Sequence, residues 1–329
     1  MQAMVYKRYG PPDVLQLQEV AAPVPADGEV RIRICAASVN PLDWHIMRGE
    51  PFFVRFMTGL AGPKHKILGS DFAGRVDSVG AGVTQFRPGD EVYGANGTRG
   101  GAFAEYVCAA ARQVVPKPAN LSFEEAAAVP VAALTALQGL RDKGRIQPGQ
   151  QVLIDGASGG VGTFAIQIAK ALGGEVTAVC STRNLARAHS LGADQVIDYT
   201  RENFTRSGSR YHLILAANAS HSIFDYRRAL APDGIYVGAG GKASVPGMLQ
   251  GVLLAPVLSR FGRKKMGGFL ARFRETDFAF LNDLLQTRKV VPVIDRRYAF
   301  PDTPAAIRYL EEGHAQGKVV ITMPPTSPE

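Results

Sequence analysis

The sequence is short of thiols, of long apolar runs and of aromatic side chains, and each shortage excludes something. Its 329 residues hold 3 cysteines, Cys35, Cys108 and Cys180, far apart and without a CxxC pair. That excludes a disulfide framework and a thiolate zinc cage. Each lies in an apolar stretch that reads as a strand, where a thiol serves as a small buried hydrophobe. The opening MQAMVYKRYGPPDV has no apolar core of the kind a secretory leader needs. The apolar part of Ser244–Gly268 is too short for a spanning helix, at about 14 residues, and Pro246 and Pro256 interrupt it. A reducing, cytoplasmic setting is expected. Aromatics make up 8% of the chain with a single Trp, and no platform of stacked aromatics among basic residues can be located. The net charge of +8 is spread along the chain except around Arg260–Arg274. It favours anionic ligands in general and does not by itself indicate nucleic acid.

What is present is a globular composition, 46% hydrophobic and 20% charged, on a chain long enough for two domains. The first 120 or so residues are rich in Gly, Pro and short β-branched runs such as Glu29–Cys35, Gly74–Val79 and Asp90–Tyr93. Turn clusters at Arg87–Asp90 and Asn96–Gly101 separate them, so this part reads as a compact β-barrel-like domain. The pattern then changes. Ser122 and Glu125 form a capping box at a helix start. From Gln151 strands and helices alternate: strands at Gln151–Asp155, Glu175–Cys180, Gln195–Asp198, Tyr211–Ala216 and Ile235–Val237, helices at Val161–Leu172, Asn184–Leu191 and His221–Leu230. Such alternation gives a parallel sheet covered by helices. Lys318–Met323 returns to a strand pattern and is expected to pair with the first domain.

Strand Gln151–Asp155 runs into Gly156-Ala-Ser-Gly-Gly-Val-Gly162 and then into a helix. That is the context in which a glycine fingerprint marks a dinucleotide site. Gly159 would let backbone approach a pyrophosphate, and Gly162 would let helix and strand pack closely. Ser158, Gly159, Gly160 and Val161 are therefore cofactor candidates, with the N–H groups of Gly160 and Val161 facing the phosphates. The other reading is a glycine turn in an unrelated α/β protein. An NAD-binding chain usually carries an acid at the end of the second strand. Here Cys180-Ser-Thr-Arg-Asn184 stands there, with no carboxylate between Val176 and Ala193. Ser181 and Arg183 can instead donate to a 2′-phosphate, so NADPH is the expected cofactor.

With this turn behind a β-rich first domain, the whole chain resembles the medium-chain dehydrogenase/reductase superfamily, in its zinc-independent quinone oxidoreductase branch. The resemblance rests on Ala36-Ala-Ser-Val-Asn-Pro-Leu-Asp43, Leu68-Gly-Ser-Asp-Phe-Ala-Gly74, Arg87-Pro-Gly-Asp-Glu-Val-Tyr-Gly94, Gly101-Ala-Phe-Ala-Glu-Tyr106 and Gly313-His-Ala-Gln-Gly-Lys318, in order around the glycine turn. It implies an α/β fold with a GroES-like catalytic domain over 1–122, completed by about 290–329, and a Rossmann domain over 123–289. Zinc-using relatives place a ligand Cys and a ligand His where this chain has Asn40 and Ser70, so no metal is expected.

Without a Lewis acid, conjugated acceptors are the easier substrates, because hydride arrival moves charge onto their own oxygen. The resemblance implies quinones or α,β-unsaturated carbonyls, with Asn40 as a donor and Thr135 against the nicotinamide as the catalytic candidates. Trp44 and His45 are candidates for the substrate pocket, with core packing as the other reading. Tyr199, Asn218, Gly240, His314, Ala315 and Gln316 join the cofactor set. Many relatives have Arg at the position of Gln316, and the acid and Val-Gly pair usual after the fourth strand are missing from Leu213–Ala219. A homodimer is implied by the resemblance alone. Two other readings stay open: a zinc-independent alcohol or aldehyde dehydrogenase, and a cofactor-binding regulatory protein of the crystallin-like type. The basic cluster Arg260, Arg263, Lys264 and Lys265 reads as the solvated end of a lid or subunit contact, with weak peripheral contact to anionic lipid as the alternative.

Overall fold

Two short strands, β1 (Gln2–Val5) and β2 (Gln16–Glu19), pair antiparallel ahead of the 11-residue β3 (Glu29–Val39). In β3, Val30, Ile32 and Ile34 are buried and the arginines between them are only half-buried. This is the period-2 alternation of a strand with one face on a core. Beyond Cys35 the alternation stops and Ala36–Val39 are all buried, as covering on both faces requires. Next come α1 (Pro41–Arg48), α2 (Val54–Thr58), β4 (Asp71–Val79), β5 (Glu91–Ala95), β6 (Tyr106–Ala110), β7 (Val114–Pro116), α3 (Phe123–Ala127) and α4 (Pro130–Leu137). The capping box expected at α3 is present: Ser122 N–H donates to Glu125 Oε2 at 2.8 Å, and Glu125 N–H to Ser122 Oγ at 3.2 Å.

The alternating part follows as β8 (Gln151–Asp155), α5 (Gly160–Ala171), β9 (Glu175–Cys180), α6 (Leu185–Ser190), β10 (Gln195–Asp198), β11 (Tyr211–Ala216), α7 (Ile223–Ala229), β12 (Leu230–Gly238) and β13 (Lys265–Gly268). The chain continues through α8 (Glu275–Gln286), β14 (Ile294–Ala299), α9 (Thr303–Glu311) and β15 (Lys318–Thr322). Helix α5 stops where Gly173 takes φ +81, with its N–H donating to Lys170 O and that of Gly174 to Ala169 O. This is the left-handed glycine stop that Gly173-Gly174 announces. Helix α7 is shorter than the expected His221–Leu230, because Ser222 caps it: its Oγ accepts from Asp225 N–H at 3.2 Å.

The structure, a computed structural model, describes residues 1–240, 254, 258–259 and 262–324. By internal packing the chain divides into two units. The first holds Met1–Val131, Phe273–Asn282 and the chain from Pro292 on; the second holds Ala132–Arg272 and Asp283–Val291. In the first unit the strands run in the order β14-β15-β3-β4-β5-β7, with β6 also on β3. Strand β3 changes partner along its length: Glu29–Arg33 pair with β6 and Ala36–Val39 with β15. Its core gathers Ile32, Ile34, Phe72, Val92, Phe103 and Ile321. In the second unit the described strands form a parallel sheet in the order β10-β9-β8-β11-β12-β13. Numbered within that unit this is 3-2-1-4-5-6, the doubly wound order whose direction reverses between β8 and β11. The α/β class is therefore as expected, with one β-rich unit and one built on a doubly wound parallel sheet.

Candidate functional site

In the second unit the glycine turn leaves β8 at the point where strand order reverses, where open parallel sheets bind ligands. Gly156 adopts φ +78, and a Cβ there would lie 2.6 Å from Asn218 Cβ. Ala217 N–H donates to Asp155 O at 2.9 Å, so the turn and the segment after β11 are held together. A Cβ on Gly162 would lie 2.2 Å from Gly156 O and 2.6 Å from Ala157 Cα, so this glycine is required by packing alone.

Gly159 differs. It has an ordinary φ of -77, and a Cβ on it would meet nothing of the protein nearer than Gly156 O at 3.7 Å. Nothing in the fold demands glycine there, but a group lying across the turn would. Gly159 is also the N-cap of the 12-residue α5, and no side chain caps that helix. The first N–H groups of a helix have no intrahelical acceptor, so the donors of Gly160 and Val161 form an anion-binding end. The turn fits a dinucleotide pyrophosphate.

The other cofactor candidates of this unit lie along the carboxyl ends of the parallel strands. Ser181 follows β9, Tyr199 follows β10, Asn218 follows β11 and Gly240 follows β12. Tyr199 and Asn218 are exposed, and Gly240 O accepts from Ala219 N–H at 3.2 Å. Arg183 is exposed in the turn after β9, and Ser181 Oγ accepts from Asn184 Nδ2 at 3.1 Å. One carboxylate reaches the end of β9 from the neighbouring strand. Asp198 pairs with Cys180 across the sheet and accepts from Thr182 Oγ1 and, at 2.7 Å, from Thr200 Oγ1. The Thr182 hydroxyl is foremost in holding it below the usual carboxylate range, and Arg201 approaches to 3.6 Å.

A second buried acid, Asp155, ends β8 and accepts from Tyr226 Oη, which in turn accepts from Ser220 N–H at 3.0 Å. Burial lifts Asp155 to about 6 against the Tyr226 bond. Asp155 pairs across the sheet with Ala216, so it anchors the segment after β11 from the adjacent strand. The signal available in the sequence was an acid closing an apolar strand immediately before the glycines. Thr135 lies on α4 and is buried.

The first unit contains a cluster of buried polar groups that sequence reasoning reached only through Asn40. Asn40 caps α1, and its N–H donates to Asp43 Oδ2 at 2.7 Å. Its Nδ2 donates to Asp71 Oδ2 at 2.9 Å, and its Oδ1 accepts from Lys318 Nζ at 2.6 Å. Asp71, at the start of β4, also accepts from Ser38 Oγ at 3.0 Å and Val131 N–H at 3.2 Å. Lys318 Nζ stands 3.5 Å from Asp71 Oδ2. Asn40 is only 2% exposed. Its amide is engaged inside this unit by Asp71 and Lys318.

Burial dominates the electrostatics of the cluster. It pushes Asp43 up to about 7 and Asp71 upward, and it pulls Lys318 downward, against the mutual attraction of Asp71 and Lys318. Signals for the missed members were present: Asn40-Pro41-x-Asp43 is an N-cap, N1 proline and N3 acid, and Lys318 opens an apolar strand.

Trp44 and His45 stack with ring centroids 3.6 Å apart, and Trp44 packs against the core of the first unit. His45 Nδ1 lies 2.9 Å from Glu50 O, and burial holds the ring below its ordinary pKa. His314 is exposed, Ala315 is half-buried, and Gln316 N–H donates to Asp295 Oδ2 at 2.9 Å. Among the described residues no group of three or more His, Cys, Asp or Glu is placed to hold a metal ion.

The apolar part of Ser244–Gly268 lies largely outside the described residues, as does Arg260. The cations described there are engaged by the protein: Arg263 with Asp233, Lys264 with Arg227 O at 2.8 Å and Lys265 with Ser259 O at 3.4 Å. No helix among the described residues is long and apolar enough to cross a membrane.

Comparison with known proteins adds to this geometry. The alcohol dehydrogenase GroES-like domain family matches residues 26–119, and the zinc-binding dehydrogenase family matches residues 191–321. The chain is 37% identical to a 2-methylene-furan-3-one reductase of Solanum lycopersicum, over 98% of this chain and 79% of that one. It is 32% identical to a chloroplastic NADPH-dependent alkenal/one oxidoreductase of Arabidopsis thaliana, again over 98% and 79%. Among solved structures it resembles a quinone oxidoreductase from Coxiella burnetii, with a TM-score of 0.85 and 31% identity over 98% of this chain and 99% of that one.

Proposed function

The chain belongs to the medium-chain dehydrogenase/reductase superfamily, in its quinone oxidoreductase branch, and from that membership we propose an NADPH-dependent, zinc-independent reductase of quinones or α,β-unsaturated carbonyls. The observation that carries the reading is Gly159, a glycine with open space above it at the uncapped start of α5. Ser158 to Val161 are assigned to the pyrophosphate, Asn218, Gly240 and the stretch His314–Gln316 to the rest of the dinucleotide. Ser181, Arg183 and Tyr199 are assigned to its adenosine end. With Asp198 engaged by Thr182, Thr200 and Arg201, Ser181 and Arg183 are the groups offered to a 2′-phosphate. The Arabidopsis thaliana relative, named as NADPH-dependent, supports that preference.

Bound NADPH supplies the hydride. A quinone or enone accepts it without a metal, since conjugation carries the charge to oxygen, where hydrogen bonds steady it. Asn40 and Ser70 occupy the places where thiolate and imidazole ligands would be needed. Thr135 is assigned to the nicotinamide, Trp44 and His45 to the acceptor side. Asn40, its amide held by Asp71 and Lys318, is assigned a positioning role there. We place the protein in the cytoplasm as a homodimer.

Steady-state oxidation of NADPH and of NADH against quinone, enone and simple ketone panels tests the reading, with metal content measured on the same preparation. Turnover with NADPH on conjugated acceptors is expected. Failure with both conjugated classes, a marked preference for NADH, or stoichiometric zinc would each overturn part of it.

A further inference from the structure

Exposed large hydrophobic side chains are not scattered evenly over this chain. Of the 12 that stand well exposed among the described residues, 5 fall within residues 52–60. Phe52, Phe56, Met57 and Leu60 are 62%, 69%, 61% and 59% exposed, and Phe53 joins them. An aromatic side chain carries roughly 150–250 Å² of surface, so together they present on the order of 500 Å², near the upper end of what a monomer tolerates without a use for it.

The patch is built to be displayed. Tyr9 Oη, 2.9 Å from Thr58 Oγ1, donates to Gly59 O at 2.6 Å. Thr58 Oγ1 donates back to Val54 O at 3.1 Å, and Lys64 N–H to Thr58 O at 2.7 Å. Arg55 lies over the Tyr9 and Phe52 rings and donates to Gly49 O at 3.1 Å. The polar face of α2 is thus tied down while its apolar face is left to solvent.

The charge of the segment that carries the patch is mainly of one sign. Between Asp43 and Asp71 the only acid is Glu50, against Arg48, Arg55, Lys64 and Lys66. Arg48 is paired with Glu311, leaving Arg55, Lys64 and Lys66 beside the apolar residues. The backbone binds this segment to the exposed Lys7 and Arg8: Tyr6 N–H donates to Lys66 O at 3.0 Å, and Gly62 faces Lys7 O. Aromatic and aliphatic side chains flanked by lysines and arginines complement one surface above others, a bilayer carrying anionic headgroups.

We propose that residues 52–66, with Lys7 and Arg8, form a peripheral docking surface for anionic membranes, in which Phe52, Phe56, Met57 and Leu60 enter the headgroup region and the cations meet lipid phosphate. The segment is distinct from Ser244–Gly268, and its binding is independent of the reaction proposed above. The test is co-sedimentation of the full chain with vesicles of equal parts phosphatidylcholine and phosphatidylglycerol, and with phosphatidylcholine alone.

Binding to the mixed vesicles alone is expected, weakening as salt is raised. Phe56→Ser with Met57→Ser lowers it about tenfold, and Lys64→Glu with Lys66→Glu removes the preference for anionic lipid. Thermal melts check that these exposed substitutions leave the fold intact. Emission from Phe56→Trp moves to the blue on mixed vesicles if the side chain inserts. Equal vesicle binding by wild type and the Phe56/Met57 variant overturns the proposal, as does no binding at low salt. So does concentration-dependent self-association in light scattering that the same variant abolishes, because a second copy would then be what covers the patch.

Discussion

Asp43 stands in the first turn of α1, where a negative charge complements the helix dipole, yet burial lifts its pKa to about 7. The Asn40 N–H opposes that rise and the Asp71 charge adds to it. In an unfolded chain the same group titrates near 3.8. Between those values the folded chain holds a proton that the unfolded chain has released, so stability falls as pH rises across the window. The contribution is complete below about pH 4 and lost above about pH 7, and is on the order of 4 kcal/mol. Asp43→Asn keeps an acceptor for the Asn40 N–H and removes the titration. Urea unfolding at pH 5 and pH 8 is expected to show a smaller pH-dependent loss in the variant than in wild type; equal losses would clear Asp43 of the effect. Little of this cluster is legible in sequence. Asp71 and Lys318 come from strands distant in sequence, and only folding brings them to Asn40. What single-chain reading can recover is the local part, the N-cap pattern from Asn40 to Asp43.

At the scale of elements the two glycines of the turn separate fold from ligand. Gly162→Ala sets a Cβ against backbone at 2.2 Å and 2.6 Å, so a shift of the helix against the strand is unavoidable, and a loss of about 2–3 kcal/mol in stability is expected. Gly159→Ala has room and an ordinary φ; its cost at an N-cap is below about 1 kcal/mol. NADPH affinity is nevertheless expected to fall about tenfold or more, about 1.4 kcal/mol, because the new methyl occupies the side of the turn assigned to the pyrophosphate. Thermal unfolding and a nucleotide fluorescence titration on both variants check the contrast, and unchanged NADPH affinity in Gly159→Ala would remove the glycine from the site. Elements of the second unit are readable because strands buried on both faces appear as unbroken apolar runs bounded by glycine. Asp198 was not readable as a neighbour of Ser181, since its approach depends on β10 pairing with β9 and not on position along the chain.

At the scale of the whole chain, the first unit is incomplete until the last described strand arrives. β15 lies between β14 and β3, so it is an interior strand supplied from the far end of the sequence. Its Val319, Val320 and Ile321 are fully buried, and three such side chains contribute on the order of 5–8 kcal/mol. That is comparable with the entire stability of a domain. It also carries Lys318, without which Asp71 is a buried charge lacking its cation. Ending the chain after Val291 is therefore expected to abolish cooperative folding of the first unit. The second unit keeps all of its own segments, including Val291, whose N–H donates to Gln167 Oε1 at 2.8 Å. Limited proteolysis of the shortened chain should digest residues before Val131 and spare a fragment beginning near Ala132, with NADPH added to protect that fragment further. Survival of both parts with an unchanged melting profile would show that β3 closes the sheet without β15, and that the return of the chain is an ornament of the first unit and not a condition of its folding.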